Sequence, residues 1–171
     1  RLRVAVLMGG RSSEHEVSLV SGASVAKALD PERYDVMPVL IGRDGEWSLD
    51  GKPVALAPGS GATGVLASLG GGPSRLVDVV FPALHGPFGE DGTVQGLCEI
   101  AGVAYVGAGV GASAIAMDKA LFKSIARTHD IPVIESTVVT AAEWRDAPDR
   151  MRSQIAEHLD YSLFTKPARL G

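Results

Sequence analysis

Hydrophobic positions in this chain come in short continuous runs separated by polar, glycine-rich punctuation. "RVAVLMGG" (Arg3–Gly10) is an apolar run of strand length closed by two glycines, which predicts a buried strand. Residues Glu14 to Leu29 predict a helix, closed by Asp30-Pro31. Tyr34 to Ile41 read as a second strand, with Pro38 suggesting an edge or a bulge. "GRDGEWSLDG" predicts a hairpin around Asp44-Gly45. Leu76 to Leu84 predict a third buried strand, followed by the glycine-rich loop "HGPFGEDG", a short helix over Thr93–Gly102 and a short strand in "VAYVG". The β-loop-α-β rhythm predicts an α/β fold: an N-terminal, mostly parallel open sheet with flanking helices.

After "GAGVGAS" the texture changes. Met117 to His129 predict a helix stopped by Asp130-Ile131-Pro132, "ESTVVT" a strand, Ala141 to Leu159 a largely helical stretch, and "YSLFTKPARLG" a strand running into a turn. Two parts are expected, 1–109 and 110–171. The second is the beginning of a further domain, and the stop on an unfinished turn at Gly171 raises the expectation of a fragment. The tract from Gly59 to Pro73 reads as a flexible connection or a weakly ordered insertion.

Composition narrows the function classes. With 171 residues and 46% hydrophobic content, the chain is long enough for one domain with a real core, or for one domain plus a piece of another. The net charge is −4 and the 16 Lys and Arg are scattered, which argues against a nucleic-acid or membrane surface. The single cysteine, Cys98, excludes an intramolecular disulfide and fits a reducing compartment. No apolar run reaches spanning length and the N-terminus shows no signal-peptide pattern, so a cytoplasmic protein is expected.

The candidate chemistry begins at "LMGGRSSEHEVSLVSG" (Leu7–Gly22), where a strand hands over to a helix. With Ser13 as N-cap, Ser-x-x-Glu is a capping box that employs Glu16. Glu14 is not needed for that box. It would stand near the carboxyl end of the first strand, where open parallel sheets bind ligands, and would suit a cation such as an ammonium. A dinucleotide fingerprint fails, because "GGRSSE" lacks its glycine spacing and puts a carboxylate where a pyrophosphate belongs. His85 falls at the same sheet edge, either as a ligand group or as a turn histidine satisfied by backbone. Glu90 and Asp91 could cap the next helix. Lys119 starts a helix and Lys166 closes a strand before a turn; each is a phosphate ligand or a solvated surface lysine.

Taken together and in order, "GGRSSEHEVSLVSG", "HGPFGEDGTVQG", "MDK" and "KPARLG" closely resemble the D-alanine–D-alanine ligase family of ATP-grasp enzymes, over essentially the whole chain. The resemblance implies that Glu14 engages the ammonium of the first D-alanine, that Val17 lines the same subsite, that His85 lies beside that substrate and that Glu90 supports it. It also implies that Lys119 and Lys166 contact ATP phosphates. The fold it implies is an N-terminal substrate-binding domain followed by a truncated ATP-grasp central domain. The activity it implies is ATP-dependent formation of D-alanyl-D-alanine through an acyl phosphate, for peptidoglycan precursors, by a homodimer using Mg2+ or Mn2+. The metal ligands are expected beyond Gly171, with none inside the segment, so these residues alone are expected to be inactive. A ligase joining D-alanine to D-lactate or D-serine, and a non-catalytic ligand-binding fragment, are the alternatives.

Overall fold

In the computed structural model, which describes residues 1–170, β1 (Leu2–Gly9) is the strand around which the rest is organised. Val4, Ala5, Val6 and Leu7 are all buried. Alternation sends them to opposite faces. Val4 and Val6, with Met8, pack beneath α1 (His15–Ala28) together with Val25 and Leu29. Ala5 and Leu7 join the larger core on the other face, which includes Val94, Cys98 and Ala101 of α2 (Thr93–Ala101). A strand buried on both faces cannot alternate polar and apolar residues, which is why "VAVL" is continuous.

The strand β2 (Tyr34–Ile41) pairs parallel to β1 from Leu2↔Tyr34 to Gly9↔Ile41. After it, β3 (Trp47–Leu49), β4 (Lys52–Pro58), β5 (Gly64–Ser68) and β6 (Arg75–Val77) form an antiparallel ribbon. On the other side of β1, β7 (Val79–Pro82) and β8 (Ala104–Tyr105) are parallel again. The full order is β6-β5-β4-β3-β2-β1-β7-β8. The parallel sheet with helices on both faces is thus the expected one, extended by a ribbon.

Three local readings are corrected. The tract Gly59–Pro73 contains β5, with Leu66 fully buried, because "GVLAS" finds partners on both β4 and β6. The run Leu76–Leu84 is two strands, broken at Asp78. That carboxylate takes the backbone N–H and the Nε of Arg3, both at 2.8 Å, and a second guanidinium nitrogen of Arg3 as well. Pro38 sits within an interior strand. It is tolerated because β3 covers only Val39–Ile41, which leaves the first part of β2 uncovered on that side.

The chain divides into two compact units at Met117/Asp118 rather than at Gly109. The reason is α3 (Val110–Met117), an unanticipated helix that belongs with the first unit and carries buried Ser113 and Met117. The second unit holds α4 (Lys119–Thr128), α5 (Ala141–Asp146) and α6 (Pro148–His158). "ESTVVT" and "SLFTK" are extended-patterned but unpaired, and no strand is formed among the described residues of this unit. A strand is a pairing, and propensity without a partner leaves the ladder unmade.

Candidate functional site

The elbow between β1 and α1 is shaped by two glycines. Gly9 and Gly10 have φ of +91° and +97°, a region that side chains resist. A Cβ at Gly9 would also lie 2.4 Å from the Ile41 carbonyl oxygen. The helix starts one residue later than the sequence suggests. Glu14 is the N-cap and makes no side-chain cap, so the Ser13/Glu16 capping box does not form. Ser12 instead ties the elbow to the second loop: its Oγ accepts from Glu14 N at 3.1 Å and donates to the His85 carbonyl at 2.7 Å. Glu16 turns outward to an exposed ion pair with Arg43 at 3.0 Å.

Two more side chains lock this corner. Buried His15 holds its Nδ1 2.7 Å from the Gly10 carbonyl. Ser18, fully buried, accepts from Gly9 N at 2.8 Å and donates to the Ala83 carbonyl at 2.6 Å, pinning the ends of β1 and β7 together. Neither was singled out from sequence. Their only signal is a polar residue on the helix face that must pack against the sheet.

The second loop follows β7. Gly86 has φ +69°, and a Cβ placed on it would be 2.7 Å from Glu14 Oε2. The Glu14 carboxylate therefore rests against the Gly86 backbone. It is half-buried, and among the described residues it takes part in no hydrogen bond or ion pair. His85, next in sequence, has its Nε2 2.9 Å from Ser21 Oγ and its Nδ1 3.9 Å from Glu90 Oε1. Glu90 Oε2 accepts from Gly86 N at 2.8 Å, so Glu90 braces the loop rather than capping α2. Asp91, one residue before the Gly92 N-cap, accepts from Thr93 N at 3.0 Å and Phe88 N at 2.9 Å, while α2 has no side-chain cap. Partial burial works against its ionisation, but these N–H groups hold its carboxyl below the ordinary value.

Glu14, His85 and Glu90 are thus gathered at the carboxyl edge of β1 and β7, while Val17 lies exposed one turn along α1 from Glu14. A cavity of about 270 Å³ opens beside them, lined by Gly9, Gly10, Arg11, Leu84, His85 and Phe88 among others. Arg11 stacks over the Phe88 ring at 5.4 Å. An unpaired, half-buried carboxylate against the backbone of this loop can receive a small cationic ligand.

In the second unit, Asp118 caps α4 by accepting from Ala120 N and Leu121 N, both at 3.1 Å. Its backbone bonds from Leu121, with Arg169 Nε at 2.8 Å, keep its carboxyl below the ordinary range. The "MDK" and "KPARLG" motifs meet here, since Lys119 N donates to the Ala168 carbonyl at 2.9 Å and Lys119 Nζ donates to the Leu170 carbonyl. Lys166 is exposed. Among the described residues no group of three or more His, Cys, Asp or Glu could hold a metal ion. No helix of the described residues is long and apolar enough to cross a membrane.

Comparison with known proteins follows the same lines. A family model described as the D-ala D-ala ligase N-terminus matches residues 3–108. The D-alanine–D-alanine ligase of Pseudarthrobacter chlorophenolicus is 44% identical over 192 residues, covering 99% of this chain and 50% of that protein. D-alanine–D-alanine ligase A of Mesorhizobium japonicum is 47% identical over 188 residues, covering 100% and 51%. Among solved structures, the Coxiella burnetii D-alanine-D-alanine ligase superposes with a TM-score of 0.82 at 32% identity, over 92% of this chain and 49% of that one. The VanG D-Ala:D-Ser ligase of Enterococcus faecalis gives 0.78 at 29%, over 100% and 53%. The chain spans about half the length of the curated relatives it matches.

Proposed function

The chain belongs to the D-alanine–D-alanine ligase N-terminal family, and on that premise we propose that it is the substrate-binding half of an ATP-dependent ligase that joins two D-alanines for peptidoglycan precursors. The observation that carries this reading is the Glu14 carboxylate, half-buried against Gly86 beside His85 and without an internal partner among the described residues. A carboxylate so placed favours a cation, and the α-ammonium of D-alanine is one of fitting size. In this reading Glu14 takes the ammonium of the first D-alanine, Val17 lines the subsite, His85 lies alongside and Glu90 braces the loop.

The chemistry is a two-step ligation. The carboxylate of the first D-alanine attacks the γ-phosphorus of ATP, giving the acyl phosphate and ADP. The amine of the second D-alanine then attacks the acyl carbon and loses a proton, and phosphate departs as the peptide bond forms. Holding the first ammonium at Glu14 keeps it away from the reacting carboxyl and fixes the attack geometry. Lys119 and Lys166 serve the ATP phosphates. For Lys119 this means giving up the Leu170 carbonyl. Mg2+, with ligands from the remainder of the ligase, belongs to the same proposal. The choice of a second D-alanine over D-lactate or D-serine, a cytoplasmic setting and a homodimeric state are parts of the same proposal.

Glu14→Gln in the full-length ligase tests it. Removing the charge that pairs an ammonium raises the KM for the first D-alanine by roughly ten- to a hundredfold, the range of a charge-assisted bond, with the ATP KM unmoved. An unchanged D-alanine KM would refute the assignment.

A further inference from the structure

Glu14, Val17 and Ser21 are spaced by three and four residues and so lie along one stripe of α1. The serines around them have distinct employment. Ser18 is buried in the seam between β1 and β7, and Ser24 bonds back to the Val20 carbonyl at 2.9 Å on the exposed face. Ser21 reaches across to the second loop, with its Oγ 2.9 Å from His85 Nε2. On the other side of the ring stands Glu90, its Oε1 3.9 Å from Nδ1 and its Oε2 anchored by Gly86 N. The hydroxyl of Ser21 is the imidazole's hydrogen-bond partner, while Glu90 Oε1 stands beyond hydrogen-bond distance on the Nδ1 side.

We propose that Ser21 is a positioning residue for His85. Its hydroxyl donates to Nε2, which leaves the ring proton on Nδ1, the side toward the Glu90 carboxylate. One tautomer and one ring orientation are then fixed at the residue before Gly86, whose backbone carries the Glu14 carboxylate. Without the hydroxyl, Nε2 has no partner on α1 and the ring is free to turn about its side-chain bonds. The His85 backbone stays where Ser12 and Gly86 hold it. Ser21 touches no substrate in this scheme and acts only through His85. The inference rests on the reading of Glu14 as the ammonium site.

Ser21→Ala in the full-length ligase is expected to lower kcat/KM for the first D-alanine roughly three- to tenfold, the range of one hydrogen bond. The ATP KM and the thermal midpoint stay at the wild-type values. Ser21→Thr, which keeps the hydroxyl, restores most of the loss, and Ser24→Ala has no effect. Unchanged kcat/KM in Ser21→Ala, or a Ser21→Thr as impaired as Ser21→Ala, would overturn the proposal. Glu14→Gln run alongside separates the two claims. If it impairs D-alanine use while Ser21→Ala is silent, only the positioning role falls. If both are silent, the ammonium site falls with it.

Discussion

Gly22 lies mid-helix in α1, directly over β1, where an alanine would ordinarily be welcome. A Cβ built there would meet Met8 Cβ at 2.5 Å, Met8 Cε at 3.0 Å and Met8 Sδ at 3.2 Å. Two terms compete in Gly22→Ala. Helix propensity favours alanine by about 1 kcal/mol. Against it stands overpacking, which costs about 1–3 kcal/mol when a methyl is forced into a filled site. The nearest atom decides the outcome. Met8 Cβ is fixed to the backbone of a central strand, so no rotamer relieves the contact and α1 itself must lift. The overpacking term then sits at its upper end, and the full-length protein is expected to lose about 2 kcal/mol. Urea unfolding followed by far-ultraviolet circular dichroism measures this. Because α1 carries Glu14 at its start, the same substitution raises the D-alanine KM. Met8→Ala/Gly22→Ala is not rescued, since alanine retains the offending Cβ. A Gly22→Ala protein as stable as wild type, or a rescued double variant, would refute the close approach of α1 to β1.

Further outcomes follow from other contacts. Ser18→Ala leaves the buried Gly9 N–H and Ala83 carbonyl without partners and is expected to cost about 3 kcal/mol, read by the same unfolding assay. Hydrogen bonds from Arg3 lower the Asp78 carboxyl from 3.8 to about 2. The stability this adds is present above pH 4 and is lost as pH falls through about 2. Discounted for partial exposure it amounts to about 1 kcal/mol, and Asp78→Asn should remove that acid dependence from the difference between the two proteins' stabilities. Lys166→Ala should raise the ATP KM with the fold intact, and an unmoved ATP KM would return it to a surface lysine.

The fold was legible where burial is continuous. "VAVL" could only be a strand covered on both faces, and α1 follows Asp30-Pro31 to its end within a residue. It was illegible where partners decide. Nothing local in "GVLAS" says that it pairs on both sides, and nothing in "ESTVVT" says that it does not. Glu14 and His85 could be assigned to one sheet edge from their places after strands. The braces that hold them, Ser12, His15, Ser18 and Ser21, could not. Each acts through a contact with the elbow or the loop after β7 that spacing does not encode.

The most direct measurement is phosphate release by the full-length protein with ATP and Mg2+, with and without D-alanine, coupled to mass-spectrometric identification of the product. The account predicts release that depends on D-alanine and matches D-alanyl-D-alanine formed, one for one. D-alanine-independent release, or none, would contradict it.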